Sequence, residues 1–177
     1  MTMFSTLLDG TTLTVRSPDQ KIVWELENGR NVQVWFEDGA YTYRGYTDAS
    51  LGQQLAGLFK AMWEAHRRAH LTVLSDMVGQ TVRDNTAGDG RDQVFLEERA
   101  KVQASGASNS RRVQLRATGM TNWEVNIKQG TNRQLDQEKF LFEVWEAFSS
   151  LMSDYRSKMA RLKRDIYPSR TYSRPLG

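Results

Sequence analysis

Two nonapeptides, "MWEAHRRAH" at Met62–His70 and "VWEAFSSLM" at Val144–Met152, share the tripeptide Trp-Glu-Ala at a separation of 82 residues. Each lies within a run whose apolar residues recur at three and four, the period of a helix with one buried face. In the first run these are Leu51, Leu55, Leu58, Phe59, Met62, His66, Ala69, Val73, Leu74 and Met77, which predicts a helix from about Ser50 to about Val82. Ser50 and Gln53 fit a capping box at its start. The second run, "LDQEKFLFEVWEAFSSLMSDYRSKMARLKRDIY", predicts a helix of similar length that stops ahead of Pro168.

Upstream of each helix the period falls to two. Within "TTLTVRSPDQKIVWELENGRNVQVWFEDGAYTY", Ile22, Trp24 and Leu26 alternate with Val23, Glu25 and Glu27. After a turn at Asn28-Gly29, Val32, Val34 and Phe36 alternate with Gln33, Trp35 and Glu37. Asn-Gly tolerates positive φ at both positions, so this is a hairpin. A shorter strand at Leu13–Arg16 precedes it across the turn residues Ser17, Pro18 and Asp19. The second half repeats the order with "AKVQASGAS", the hairpin "RRVQLRATGMTNWEVNIKQG", and its helix. An offset of 91 superposes the hairpins, bringing Val113 and Leu115 onto Ile22 and Trp24. The Trp-Glu-Ala helices superpose at 82, which makes Trp63 and Trp145 equivalent and gives the first copy nine extra residues before its helix.

The predicted fold class is therefore α+β, with tandem β-β-β-α units, antiparallel sheets, two long helices and a pseudo-two-fold relation. Residues 1–84 form the first unit, 85–92 a linker, 93–167 the second unit with a short leading helix, and 168–177 a basic tail. A three-stranded sheet with one helix covers itself poorly. The two units are thus expected to share one core, as a homodimer would.

The second copy, "AKVQASGASNSRRVQLRATGMTNWEVNIKQG" followed by "EKFLFEVWEAFSSLMSDYRSKM", resembles the YbaB/EbfC family of small bacterial nucleoid-associated proteins. Residues 93–164 carry the likeness, with "QVFLEERAKV" where that family has a leading helix; the first copy matches from Thr12 onward. The resemblance implies a dimer-like fold and DNA binding with limited sequence preference. Diverged proteins of this outline are also associated with type VII secretion loci in actinobacteria, which implies a protein-binding adaptor or chaperone as the alternative.

Charge is uneven along the 177 residues, whose formal net charge is +3. Residues 1–48 hold four basic and seven acidic side chains. From Arg156 onward there are seven basic residues, Arg156, Lys158, Arg161, Lys163, Arg164, Arg170 and Arg174, against the single acid Asp165. Such a basic end is suited to neutralising phosphates, and lysine and arginine also complement the negative pole of a helix C-terminus. Arg111 and Arg112 offer a second phosphate contact beside the hairpin, or protection of a strand edge. Trp35, on the face opposite Val34 and Phe36, together with Tyr41 and Tyr43, is the candidate protein interface.

His66 and His70 stand at i and i+4, but Arg67 and Arg68 lie between them and no third ligand is evident, so packing is the expected role. The chain has no cysteine, which excludes disulfides, thiolate metal sites and cysteine nucleophiles. It carries no Walker loop, nucleophile elbow or HExxH motif. No enzyme activity and no cofactor are expected. No secretion leader is expected from the reading of "MTMFSTLLDG", and no apolar run of bilayer length occurs in these 177 residues. The expected location is the cytoplasm, with DNA or a protein as partner, no membrane, and room for the pseudo-dimer to pair again.

Overall fold

The computed structural model describes residues 10–28, 31–79, 81 and 90–168. Two three-stranded antiparallel sheets alternate with helices in an α+β arrangement. The first sheet comprises β1 (Thr12–Arg16), β2 (Ile22–Glu27) and β3 (Asn31–Phe36), and the second β4 (Gln103–Ala107), β5 (Val113–Thr118) and β6 (Asn122–Ile127). Each is a meander with its middle strand in sequence also in the middle of the sheet. An offset of 91 carries every strand of the first sheet onto one of the second, end to end: Thr12 onto Gln103, Ile22 onto Val113, Asn31 onto Asn122.

The same chemistry closes both first turns. Ser17 Oγ accepts from Ile22 N at 2.9 Å, and Ser108 Oγ accepts from Val113 N at 3.2 Å. Both serines are buried, and Gln20 (φ 66°) and Arg111 (φ 57°) take the left-handed position that each turn requires. Asn28 of the predicted hairpin likewise has φ 53°, while Gly29 lies outside the described residues. After β3 and β6 come two short helices, α1 (Ala40–Gly45) and α4 (Thr131–Gln134), each entered through a positive-φ glycine, Gly39 and Gly130. Residues 40–43, which close the segment read from its sequence as strands, are therefore helical: after Gly39 the main chain turns into α1.

The long helices are α2 (Asp48–Val78) and α5 (Gln137–Ile166), and α3 (Gly90–Lys101) leads into the second sheet. The linker predicted at 85–92 thus becomes helical from Gly90, and its earlier residues lie outside the described ones. Helix α2 is capped two to three residues earlier than the sequence pattern suggested. Thr47 Oγ1 accepts from Ser50 N at 3.1 Å and Ser50 Oγ accepts from Thr47 N at 3.0 Å, so Ser50 closes the capping box where it was expected to open one. Gly79, at φ 65°, ends the helix in a left-handed C-cap, short of the predicted limit at Val82.

The helix caps overturn the equivalence of Trp63 and Trp145. Thr47 and Asp136 are the two N-caps, 89 residues apart. At that offset the buried residues Leu51, Leu55, Leu58, Phe59 and Met62 fall on Phe140, Val144, Ala147, Phe148 and Leu151, all of them buried as well. Trp63 then corresponds to Met152 and Trp145 to Ala56. The two Trp-Glu-Ala tripeptides are displaced by seven residues, two turns of helix, and the first copy has only two more residues between sheet and helix than the second.

One buried cluster runs through both units. Phe140, at the start of α5, packs on Tyr43 and Phe36 of the first unit, with ring centroids 5.3 and 6.4 Å away. Phe59 of α2 stacks on Phe148 of α5 at 5.2 Å and meets Trp123 of β6 at 5.4 Å. Helix α2 lies on β6 so closely that a Cβ at Gly52 would sit 2.7 Å from Val125 O. Helix α5 approaches β4 through Gly106 in the same way. The strand residues compensate: where the first sheet has Leu13, Val15, Trp24 and Leu26, the second has Ala104, Gly106, Leu115 and Ala117. Smaller side chains admit the close helices and larger ones fill the wider gap, as dense packing demands.

Polar groups fasten the units at the start of α2. Asp48 Oδ2 accepts from Gly130 N at 2.6 Å and Oδ1 from Asn132 N at 2.8 Å. Asn132 Nδ2 donates to Tyr43 O at 2.8 Å, and Tyr43 Oη donates to Leu135 O at 3.2 Å. No helix among the described residues is long and apolar enough to cross a membrane.

Candidate nucleic-acid interface

The apolar face of α5 changes character at Met152. Up to that point it carries six buried side chains. Beyond it Tyr155, Met159, Leu162 and Ile166, again at helical spacing, are only half-buried; Tyr155 meets Trp63 of α2 edge-on at 5.6 Å, and α3 packs against the end of the helix. Helix α3 lies alongside with its start near the end of α5. Tyr167 Oη donates to an Asp92 carboxylate oxygen, and the Phe95 and Tyr167 rings are 5.8 Å apart. The sequence places its cations around this end of the helix, Lys163 and Arg164 beside Phe95 of α3.

The predicted basic set separates into two kinds. Lys158 Nζ donates to Gln103 O at 2.7 Å and to Asp154 Oδ2 at 2.8 Å, which fastens α5 to β4. Burial raises the Asp154 carboxyl, but its bonds with Lys158 and Ser105 N outweigh this and leave it below the ordinary carboxylate value. Arg156 Nε donates to Met152 O at 3.2 Å on its own helix. These two side chains are committed to structure. By contrast, Arg161, Lys163 and Arg164 are exposed and have no hydrogen bond or ion pair among the described residues. Arg170 and Arg174 lie outside the described residues.

The hairpin arginines are not brought to this place. Arg112 Nη1 donates to Gln134 Oε1, and Arg111 holds its left-handed position in the turn. That turn is fastened to the first half of α5, where Asn109 N donates to Glu146 Oε2 at 3.1 Å and Ser110 Oγ donates to Glu143. Glu146 and Arg161 are separated by 15 residues of one helix, or roughly 22 Å at 1.5 Å per residue. Arg111 and Arg112 therefore sit beside carboxylates, far from the helix end, and the expected second phosphate contact is not continuous with the first.

The aromatic candidates divide as well. Tyr41 is 86% exposed on α1, and Trp35 is half-buried opposite Val23 in the sheet. Tyr43 is fully buried and belongs to the core, which removes it from any partner surface. Desolvation pushes its phenol up to about 12. The adjacent pair in α2 behaves as packing: His66 is drawn down to about 4, chiefly by burial and then by the charge of His70, with Trp63 at 6.1 Å. No group of three His, Asp or Glu side chains suited to a metal occurs among the described residues.

Sequence reasoning missed the part played by α3. Val94, Phe95 and Leu96 form a short apolar cluster within a charged helix, and that cluster was the available signal of a helix leaning on something. What it leans on becomes visible only when α5 is in place. No protein-family model matches the chain, and neither a characterised protein nor a solved structure does so.

Proposed function

We propose that this chain is a non-enzymatic bacterial DNA-binding protein of limited sequence preference, acting in the cytoplasm through the C-terminal end of α5. The observation that carries this reading is the set Arg161, Lys163 and Arg164: three exposed cations at the end of one helix with no hydrogen bond or ion pair among the described residues, Arg161 acting on the Asp154 carboxylate only through its charge. Cations that a fold does not use are available to displace counterions from phosphates, and this gives affinity without base recognition. The order of strands and helices is also that expected from the YbaB/EbfC-like outline.

The test is fluorescence anisotropy with a random duplex at about 50 and 200 mM salt, the range over which several phosphate contacts change affinity by orders of magnitude. Arg161→Ala with Arg164→Ala is expected to weaken binding and to lower the salt slope by about one unit for each arginine removed. Absence of binding at low salt refutes the reading, and so does an unchanged slope in the double variant.

A second reading, a protein-binding adaptor, rests on Tyr41, a large aromatic side chain that is 86% exposed. It predicts that Tyr41→Ala and Trp35→Ala each release a partner that co-purifies with the native chain while the circular dichroism spectrum is preserved. A partner retained by both variants removes it.

A further inference from the structure

We infer that the shallow recess where α3 meets the end of α5 receives an unstacked base of a single-stranded nucleic acid, an inference that rests on the phosphate-binding role proposed above. Four residues line it: Phe95, Lys163, Arg164 and Tyr167. Its walls are largely apolar, yet two of its four residues are cations whose charged ends have no bond or ion pair among the described residues. The rings of Phe95 and Tyr167 lie 5.8 Å apart at 55°, and Tyr167 is 39% exposed. Tyr167 is also held in place. Its N–H donates to Lys163 O at 2.8 Å as the C-cap of α5, and its hydroxyl donates to Asp92 across the gap to α3.

A positioned ring beside two uncommitted cations is the combination that single strands need. An unpaired base presents a π-face to stack on the ring, while the neighbouring phosphates meet Lys163 and Arg164. In a duplex those faces are already stacked on one another, so a protein is offered only phosphates and base edges. The cations therefore serve either form of nucleic acid, whereas the ring serves only the unpaired one. Stacking is also tolerant of base identity, which agrees with a site that has no array of hydrogen-bonding groups directed at a base edge.

The experiment compares fluorescein-labelled oligothymidine with a random duplex of equal length, using the full chain at one salt concentration. The native protein is expected to bind the single strand more tightly. Tyr167→Ala is expected to weaken single-strand binding by roughly five- to a hundredfold, the range of a lost base stack, and to leave the duplex almost unaffected. Tyr167→Phe, which keeps the ring without the bond to Asp92, is expected to retain the preference. Tyr167→Leu, which keeps an apolar contact with Phe95 but offers no π-face, is expected to lose it, and this separates stacking from a disturbed α3. The inference is overturned if the duplex binds as tightly as the single strand, or if the alanine or leucine variant keeps the preference; either result leaves the phosphate reading standing. Failure of both probes to bind at low salt overturns the two together.

Discussion

Replacing Gly106 by alanine adds one methyl group, and the position of α5 decides what that methyl meets. A Cβ there would lie 2.8 Å from Leu151 Cα and nearer still to Ala147 O and Leu151 N, all of them backbone atoms of the crossing helix. Ordinary carbon–carbon contact is at about 3.5–4.0 Å. Helix α5 must therefore lift by about 1 Å over β4, or the strand must sink. Neither movement is local, since Phe148 and Leu151 of this helix are in the shared core. Overpacking of a dense interior costs about 1–3 kcal/mol, and because no flexible side chain can yield here the upper end applies. Strand propensity works in the opposite direction, for glycine inside an element is less favourable than alanine by about 0.5–1 kcal/mol. The net expectation is a loss of about 2–2.5 kcal/mol, a substantial part of the roughly 5–15 kcal/mol that holds a domain folded. Urea unfolding followed by tryptophan fluorescence measures it, with Gly45→Ala as control, because a Cβ at Gly45 meets nothing within 4 Å. A Gly106→Ala protein as stable as the native one would mean that α5 does not lie on β4 as described.

Burial of His66 and the Asp48 clasp each carry an expected outcome. His66 has a folded value near 4 against an ordinary 6.5, so the unfolded chain takes up a proton first and stability falls as pH drops through 6.5, levelling below about 4. The gap sets a ceiling of about 3 kcal/mol, reduced by partial solvent access. Asp19 is lowered and loses its contribution only below the ordinary carboxylate value, so a His66→Phe variant whose stability still declines between pH 6.5 and 5 would refute the assignment. Asp48→Ala removes the acceptor of Gly130 N and Asn132 N. The expected loss of about 1–3 kcal/mol, read from thermal unfolding, should exceed that of Asp76→Ala, an exposed aspartate of α2, and equal losses would show that the clasp is not formed.

Strand alternation was legible for Ile22, Trp24 and Leu26 because a sheet face has a period of two, and a slip of one residue would turn Trp24 and Leu26 outward; Val23, which alternates with them, is nevertheless fully buried, opposite Trp35 on the other face. Helical register was not. Seven residues make almost two whole turns, so a shift of seven leaves apolar positions facing apolar positions. Trp63 and Trp145 matched for that reason alone, and only the caps Thr47 and Asp136 settle the true offset. Tyr43 was grouped with Trp35 and Tyr41 because nearness in sequence cannot report the turn into α1 at Gly39, a glycine with φ 58°. Within the basic set, composition identified the charges but not their engagements: Lys158 reaches a strand carbonyl 55 residues away, a relation created by the fold.

Phe140 sits among Phe36 and Tyr43, and this bears on the order in which the chain acquires structure during synthesis. The strands of the first sheet are joined by short turns and pair with neighbours near in sequence, so they are suited to forming early. The side chain that seals one end of that sheet emerges about a hundred residues later, a separation evident from Phe36 and Phe140. A ribosome carrying the first unit alone would thus display an unsealed apolar surface, of the kind that invites aggregation. Growth of the second unit supplies the missing seal from within the same molecule, at an effective concentration that a separate subunit would reach only by diffusion.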